Sequence, residues 1–164
     1  REGAKVTAAL WIAFGVFLIL ILGGTAAVAK RTDGRYRSLV SKWADLRALD
    51  PALVWGVVLT ESSGDPEAEN PSDPSVGLMG VTPIIGRAYA GLTGSSSEVL
   101  RQLKDPETNL TAGTGFLADL KKKYSPKFKL DVWVQAYNVG ETKFNKGTRM
   151  PSYGQKVLQN MLRW

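Results

Sequence analysis

The sequence contains no cysteine and no histidine, and these two absences exclude several kinds of chemistry. Without cysteine, the chain can form no disulfide bond and has no thiolate nucleophile. Without histidine, the usual serine and cysteine triads are excluded, and a zinc site would have to consist of carboxylates alone. Any catalysis must therefore rest on Asp, Glu, Lys, Tyr or Ser, and we expect neither a metal nor an organic cofactor.

Long stretches of alternating polar and apolar residues are also missing, which argues against a large β-sheet. Short helices are predicted instead, because Asp50-Pro51 and Asp105-Pro106 each join an N-cap to a proline at the first helical position. Ser97 is the predicted cap of another helix. We predict a mainly α-helical domain, with helices in 36–49, 51–62, 83–91, 97–104, 106–124, 130–137 and 155–164. The irregular stretch 63–81 is long enough to be a functional loop.

One hydrophobic run differs from the rest of the chain. Between residues 6 and 29 the only polar side chains are Thr7 and Thr25, and about 20 apolar residues suffice to cross a bilayer as a helix. A cleaved signal peptide with a small-residue site at 27–29 is the alternative, but its apolar region usually has only ~7–15 residues. We predict an N-terminal tail (1–5), a retained transmembrane helix (6–29), a linker (30–35) and a catalytic domain (36–164).

A single glutamate ends a very apolar predicted helix. Residues 52–59 are apolar except for Gly56, and Glu61 follows in the last turn, within the stretch VVLTESSG. Burial and the negative end of the helix dipole both disfavour the ionised carboxylate, so we predict a raised pKa. A carboxylic acid that stays protonated near neutral pH can act as a general acid. Position alone, however, favours the alternative of a solvated glutamate or one paired with lysine.

Three motifs, the first of which contains Glu61, occur in the order found in a known family. The first is Glu61-Ser62, and the second is Gly-Leu-Met at 77–79 followed by Val-Thr-Pro at 81–83. The third is Ala-Tyr-Asn-Val-Gly at 136–140, supported by DPETNLTAGTGFLADL at 105–120. From residue 36 onward the chain resembles lytic transglycosylases of the soluble-lytic-transglycosylase (SLT) type, relatives of goose-type lysozyme. The resemblance implies a lysozyme-like helical fold.

The resemblance also implies cleavage of peptidoglycan glycan strands by one carboxylate. Glu61 would protonate the oxygen of the β-1,4 bond between N-acetylmuramic acid (MurNAc) and N-acetylglucosamine (GlcNAc). It would then act as a base on the muramyl 6-hydroxyl, which leaves a 1,6-anhydro-MurNAc end and consumes no water. By the same resemblance, Tyr137 would hydrogen-bond near Glu61 and hold it, and Asn138 would fix the loop around the site. The residues expected to contact the glycan are Ser62, Asn70, Gly77, Leu78, Met79 and Tyr137.

Two positions depart from the family pattern, and acidic residues leave a second mechanism open. Gly80 stands where the family usually has glutamine, and Asn70 stands where it often has serine. Neither change removes the proposed acid, so we predict activity with altered affinity for the sugars. Lysozyme-type hydrolysis, which needs a second carboxylate, is the alternative. Its candidates lie in the loop after Glu61, which we interpret as a solvated acidic stretch: Asp65, Glu67, Glu69 and Asp73.

Charge bears on the expected partners. With 21 basic and 15 acidic residues and a pI near 9.6, the chain suits a polyanionic partner. Nucleic acid is not expected, because no basic groove interleaved with aromatics is evident. We expect peptidoglycan strands, membrane lipid along residues 6–29, and other envelope or virion proteins as partners. A catalytically silent wall-binding anchor remains the alternative to an enzyme.

The distribution of charge also bears on location. Basic residues outnumber acidic ones just after the predicted span, and the positive-inside rule would then place the domain in the cytoplasm. An enzyme anchored in the bacterial inner membrane must instead face the periplasm and the wall. A bacteriophage particle is less bound by this rule, so the conflict favours a virion-associated protein without excluding the bacterial envelope.

Overall fold

Short helices joined by turns make up the part of the chain that the computed structural model describes, residues 34–164. In chain order they are α1 (Arg37–Leu46), α2 (Pro51–Glu61), α3 (Pro83–Ala90), α4 (Ser96–Leu103), α5 (Pro106–Tyr124), α6 (Leu130–Trp133), α7 (Gln135–Val139), α8 (Glu141–Asn145) and α9 (Pro151–Met161). Two isolated antiparallel bridges, Glu69–Val76 and Val76–Val81, lie in the loop before α3. The prediction of a mainly α-helical domain is confirmed.

Side-chain caps explain why two helices begin where the sequence predicts. Asp50 accepts a hydrogen bond from the backbone N–H of Ala52 at 2.9 Å, and Asp105 accepts one from Thr108 at 2.8 Å. Each cap is followed by a proline, whose fixed φ suits the first helical position and whose missing N–H needs no partner there. These local signals set the start of α2, which carries Glu61 at its other end.

Some helix boundaries differ from the predicted ones. Ser95, and not Ser97, caps α4, where it forms a capping box with Glu98. The single helix predicted over 130–137 is divided into α6 and α7, and α9 begins at Pro151 instead of residue 155. Helix α8 was not predicted, because five residues carry too little periodicity to indicate a helix.

Helix α2 runs through the core of the domain. All seven of its residues from 53 to 59 are buried, with α9 packed along it and α1 against another side. The helix has no charged residue before Glu61, as expected for a helix that is surrounded by other elements. The packing therefore delivers one carboxylate from the core to the edge of the domain.

The predicted transmembrane helix, residues 6–29, lies outside the described residues and stays a prediction. Among the helices between residues 34 and 164, none combines the length and the apolar character needed to cross a bilayer. Residues 36–164 form one compact unit.

Candidate active site

The carboxylate of Glu61 is held between two other parts of the domain. From α9, the hydroxyl of Tyr153 donates a hydrogen bond to Glu61 Oε1 at 2.6 Å. Beside the other oxygen, the backbone of Gly80 passes so close that a Cβ atom at that residue would stand 2.8 Å from Glu61 Oε2. One carboxylate oxygen is therefore occupied by a hydrogen bond, and the other lies against backbone that carries no side chain.

Burial raises the pKa of Glu61 from 4.5 to about 7. The hydrogen bond from Tyr153 and the positive charge of Lys156 lower this pKa, while the negative charge of Asp73 raises it further. The loss of hydration is the largest of these effects, and the direction agrees with the sequence-based prediction for an acid that ends an apolar helix. A carboxyl group with a pKa near 7 can both give and take a proton at neutral pH, as acid–base catalysis requires.

Two tyrosines lie at Glu61, and the one that hydrogen-bonds its carboxylate is Tyr153, whereas the resemblance implies a hydrogen bond near Glu61 from Tyr137. The hydroxyl of Tyr137 donates to the backbone carbonyl of Met79 at 2.9 Å, and the hydrogen bond to Glu61 comes from Tyr153 instead. Tyr137 still lies close enough for the charge of Glu61 to add to the increase in its pKa that burial causes. Sequence reasoning missed Tyr153 because it follows Glu61 by 92 residues and, with the buried Val157 one turn later, has the pattern of an ordinary core position.

A buried asparagine fixes the loop that faces Glu61. Asn109, on α5, donates through Nδ2 to the carbonyls of Val76 at 2.9 Å and Leu103 at 2.7 Å. Its Oδ1 accepts the backbone N–H of Met79 at 2.8 Å. Gly77, with φ +81°, passes so near that a Cβ atom there would overlap Asn109 Nδ2. The Gly-Leu-Met segment thus takes its shape from one side chain of α5.

Removing this side chain should destabilise the domain strongly. Asn109→Ala leaves the N–H of Met79 and the carbonyl of Leu103 without partners, while the carbonyl of Val76 keeps the N–H of Val81. Each unpaired buried group costs about 1–3 kcal/mol, so we expect a loss of about 2–5 kcal/mol in the free energy of unfolding. Urea denaturation followed by circular dichroism measures this loss. Asn160→Ala is the matched control, since that asparagine donates one partly buried hydrogen bond to Thr60, and equal losses in the two variants would contradict the assignment.

Three residues predicted to contact the glycan lie beneath the cleft instead. The side chains of Leu78 and Met79 are fully buried. The hydroxyl of Ser62 lies within hydrogen-bond distance of the carbonyls of Leu78 (2.8 Å) and Val58 (3.0 Å), and it accepts the N–H of Gly64 (3.1 Å). None of the three lines either lobe of the cleft, and only Ser62 keeps a small exposed fraction, 9%, so these residues support the loop from within the fold.

An open cleft with two lobes begins at Glu61. The larger lobe has a volume of about 500 Å³, which lies within the ~300–1,000 Å³ usual for ligand sites, and the smaller has about 210 Å³. Tyr137 and Asn138 line the larger lobe, Gly77 lines the smaller one, and Asn70 lines both. Glu61 also lines both, so its carboxylate stands where the lobes meet. No acidic side chains in the described part of the chain are grouped to hold a metal ion.

A comparison with protein families identifies the domain that contains this cleft. The profile of the family described as "Transglycosylase SLT domain" matches residues 38–157, which include α2, the loop and α9 up to Val157. The chain belongs to this family.

Curated proteins and solved structures resemble this chain, and three of them serve as examples. The "Membrane-bound lytic murein transglycosylase C" of Haemophilus influenzae is 33% identical over 113 residues, which cover 65% of this chain and 31% of the relative. The "Membrane-bound lytic murein transglycosylase E" of Buchnera aphidicola is 31% identical over 97 residues, covering 58% and 43%. An X-ray structure of lytic transglycosylase Slt from Pseudomonas aeruginosa, an inactive mutant with glutamine for glutamate, has a TM-score of 0.60 at 21% identity.

The extent of these matches limits what they show. The Pseudomonas aeruginosa structure covers 79% of this chain but only 23% of its own, and it shows that the fold is shared. This chain therefore spans less than half the length of each of these three proteins. The family profile, which matches residues 38–157, includes every residue that lines the two lobes of the cleft.

Gly80 is one of the two positions where this SLT domain departs from the expected pattern, and the structure gives a reason for the absence of a side chain there. Its φ of +56° lies in the left-handed region, which glycine adopts without strain. The space that a side chain would need at residue 80 is already occupied by the carboxylate of Glu61. The Glu61 carboxylate can therefore lie this close to residue 80 because that residue is glycine and not glutamine.

Proposed function

We propose that this chain is a peptidoglycan lytic transglycosylase that cleaves the MurNAc–GlcNAc β-1,4 bond with Glu61 as its single acid and base. The observation that carries the proposal is the place of Glu61, a partly buried carboxyl that lines both lobes of the cleft within an SLT domain. Burial there raises its pKa to about 7. The names of the Haemophilus influenzae and Buchnera aphidicola relatives support the same activity.

The proposed reaction begins with the free oxygen of Glu61. Because Tyr153 occupies Oε1, we assign the transferable proton to Oε2, which lies beside Gly80 where the lobes meet. Glu61 protonates the glycosidic oxygen and the C1–O4 bond breaks, which leaves positive charge on the muramyl ring. The carboxylate then takes the proton of the C6 hydroxyl, whose oxygen bonds to C1. The 1,6-anhydro end forms and Glu61 is protonated again, so no second carboxylate and no water are needed.

Other cleft residues have supporting parts in the proposal. Asn70 and Gly77 would contact sugars in the smaller lobe, and Tyr137 and Asn138 would contact them in the larger one. Tyr137 also donates a hydrogen bond to the carbonyl of Met79, so it would both contact the substrate and hold the Gly-Leu-Met segment in place. Tyr153 acts on the substrate only through Glu61, which makes it a positioning residue.

Product analysis tests the proposed function. Purified peptidoglycan is incubated with the protein, and the released muropeptides are identified by mass spectrometry. We expect 1,6-anhydro-MurNAc ends, which differ from reducing ends by the mass of one water. Reducing ends alone would show a lysozyme-type hydrolase, and no release at all would support the wall-binding alternative.

The pH dependence should follow the protonation of Glu61. Because ionised Glu61 cannot protonate the leaving oxygen, the rate is expected to fall as pH rises through about 7. Tyr153→Phe removes a hydrogen bond that lowers the pKa, so the fall should move to higher pH. The other groups that face Glu61, namely Tyr137, Lys156 and Asp73, are unchanged in this variant.

Initial rates of muropeptide release over a pH series measure this effect. Tyr124→Phe is the control, because that hydroxyl bonds Asn145 at 2.6 Å and its residue lines neither lobe. A profile for Tyr153→Phe that coincides with the wild-type profile would contradict the positioning role.

We further propose that residues 6–29 anchor the domain in a membrane, either in a bacterial envelope or in a phage particle. The run of apolar residues supports this, as does the description of both curated relatives as membrane-bound. Its orientation can be decided by adding protease to intact cells, spheroplasts or particles. Digestion of the domain only after the membrane is opened would place it on the inner side, against the proposed access to the wall.

A further inference from the structure

One face of helix α4 borders a second cavity, which is separate from the two lobes of the cleft. Val99 and Leu103 are the buried residues of this helix. The neighbouring face has four residues at the helical spacing i, i+3, i+4 and i+7 that line the cavity: Ser97, Leu100, Arg101 and Lys104. Loop residues between 69 and 76 form the other wall. We call this cavity the side pocket.

The side pocket adjoins the cleft. Its volume is about 340 Å³, which lies within the ~300–1,000 Å³ usual for ligand sites. Asn70 and Ser75 line the side pocket and both lobes of the cleft, and Glu69 lines the side pocket and the smaller lobe. A group that branches from a sugar in the cleft can therefore reach the side pocket across these residues.

Two cations line the side pocket, and they differ in what they contact. Lys104 pairs with Glu69 at 2.6 Å and with Glu67 at 3.3 Å, so its charge is neutralised within the fold. Between residues 34 and 164, the guanidinium of Arg101 forms no hydrogen bond and no salt bridge. Its charge acts on Glu98 one turn earlier, but that carboxylate is already held in the capping box of α4. Arg101 is thus available to bind an anionic group.

The lining of the side pocket fits a ligand that combines carboxylates with small apolar groups. A guanidinium binds a carboxylate through two parallel hydrogen bonds, which a single ammonium group cannot form. Beside Arg101, the side chains of Leu100 and Pro74 offer apolar surface. In peptidoglycan, the lactyl group of a muramyl residue carries a short stem peptide with alanine methyl groups and free carboxylates. The stem therefore has the chemistry that this lining suits.

We propose that the side pocket binds the acidic stem peptide of a muramyl residue held in the cleft, and that Arg101 contacts a stem carboxylate. The inference rests on the proposed function, because a glycan strand bound in the cleft is what brings a stem to the side pocket. Arg101 is then a specificity-determining residue, which touches the substrate at a distance from the bond that breaks. Strands with free stem carboxylates bind more tightly than strands without them.

Removing the charge of the stems tests this contact. Purified strands are compared with the same strands after their carboxylates have been converted to amides with a carbodiimide and ammonia, which keeps the glycan and the length of each stem. Mass spectrometry of new anhydro ends gives kcat/KM for the acid form and for the amide form. The ratio of these two values is then compared between variants, so that a change affecting both substrates equally cancels.

We expect the wild-type chain to cleave the acid form about 10-fold better than the amide form, since a hydrogen bond to a charged group has an effect of this size. In Arg101→Gln the ratio should fall to about 1, with the change in KM and not in kcat. Glutamine is a helix former comparable to arginine, so α4 should be preserved. Arg87→Gln is the control and should keep the wild-type ratio, because Arg87 donates to the carbonyl of Gly94 and lines neither the side pocket nor the lobes.

Three results would overturn the inference. Equal cleavage of the two substrates by the wild-type chain would show that stem carboxylates are not recognised, while the proposed function stands. A wild-type ratio that persists in Arg101→Gln, or that falls equally in Arg87→Gln, would assign the recognition to another group or to overall charge. The absence of anhydro ends from both substrates would remove the proposed function and this inference together.

Discussion

Glu61→Gln is expected to abolish the release of muropeptides from peptidoglycan. Glutamine fills the same space and can still accept the hydrogen bond of Tyr153, but it has no proton to give to the glycosidic oxygen. Loss of acid–base catalysis lowers rates by ~10²–10⁴-fold, and here one group serves both steps, so we expect the upper part of that range or more. Zymography and quantified anhydro ends measure the loss.

A matched variant separates this effect from a general loss of carboxylate. Glu98→Gln makes the same change in the capping box of α4, where glutamine also serves and where neither lobe is lined. It should cleave like the wild-type chain. Equal clearing by Glu61→Gln and the wild-type chain would remove Glu61 from the mechanism.

Glu61→Gln should also stabilise the domain at alkaline pH. The pKa of Glu61 in the folded domain, about 7, lies above its ordinary value of 4.5, so the folded state favours the protonated carboxyl. The stability that this preference contributes is complete below about pH 4.5 and is lost as pH rises through 7, a change of about 3 kcal/mol. Glutamine stays neutral and avoids that loss.

Urea unfolding at two pH values tests this expectation. At about pH 8, Glu61→Gln should be more stable than the wild-type chain by about 3 kcal/mol, and at about pH 4 the two should be similar. A gain that is the same at both pH values would show that the stabilisation does not come from the ionisation of Glu61. An active site that keeps a buried acid thus reduces the stability of the fold near and above neutral pH.

The sequence predicts the acid but not the groups that adjust it. The position of Glu61 at the end of an apolar helix does not suffice to single it out, but the Glu-Ser pair, the Gly-Leu-Met segment and the motif at 136–140 each consist of adjacent residues, and their shared order with the family points to Glu61. Tyr153 and Asn109 belong to none of these three motifs, since each acts across the fold on a group dozens of residues away. Hydrogen bonds formed by tertiary packing leave no trace in the spacing of residues.

Burial is the second property that the motifs do not convey. Leu78 and Met79 belong to a motif that suggests a cleft wall, yet Asn109 bends the loop so that both side chains enter the core. The direction of each side chain depends on which backbone groups of the loop are bound. Family motifs therefore identify the segment that forms the site, and the hydrogen bonds decide which of its atoms face the substrate.

Gly80→Gln, which introduces the residue expected at this position in the family, should reduce cleavage sharply in this chain. The new Cβ atom would stand 2.8 Å from Glu61 Oε2, so the carboxylate must move away from the place where the lobes meet. A displacement of about 1 Å at a reacting group can cost about 10²-fold in rate, and we expect kcat/KM to fall by ~10–100-fold. The fall of rate with pH should also move, because a displaced carboxyl loses part of its burial.

A control must separate the effect of backbone strain at residue 80 from the effect of the contact with Glu61. A side chain in the left-handed region costs about 1–2 kcal/mol wherever it occurs. Gly91→Gln is the control, because Gly91 has a φ of +65° at the end of α3 and no atom stands within 4 Å of the position a Cβ would take. Both variants should lose similar stability in urea, but only Gly80→Gln should lose activity.

The outcome decides how the site tolerates the family residue. Full activity in Gly80→Gln with an unchanged pH profile would mean that Glu61 can rotate away from Tyr153 without harm, and that its seat against Gly80 has no function. The expected loss would mean the opposite. The position of the Glu61 carboxylate would then depend on glycine at residue 80. Glutamine at this residue would be compatible with activity only if the Glu61 carboxylate were held in a different position.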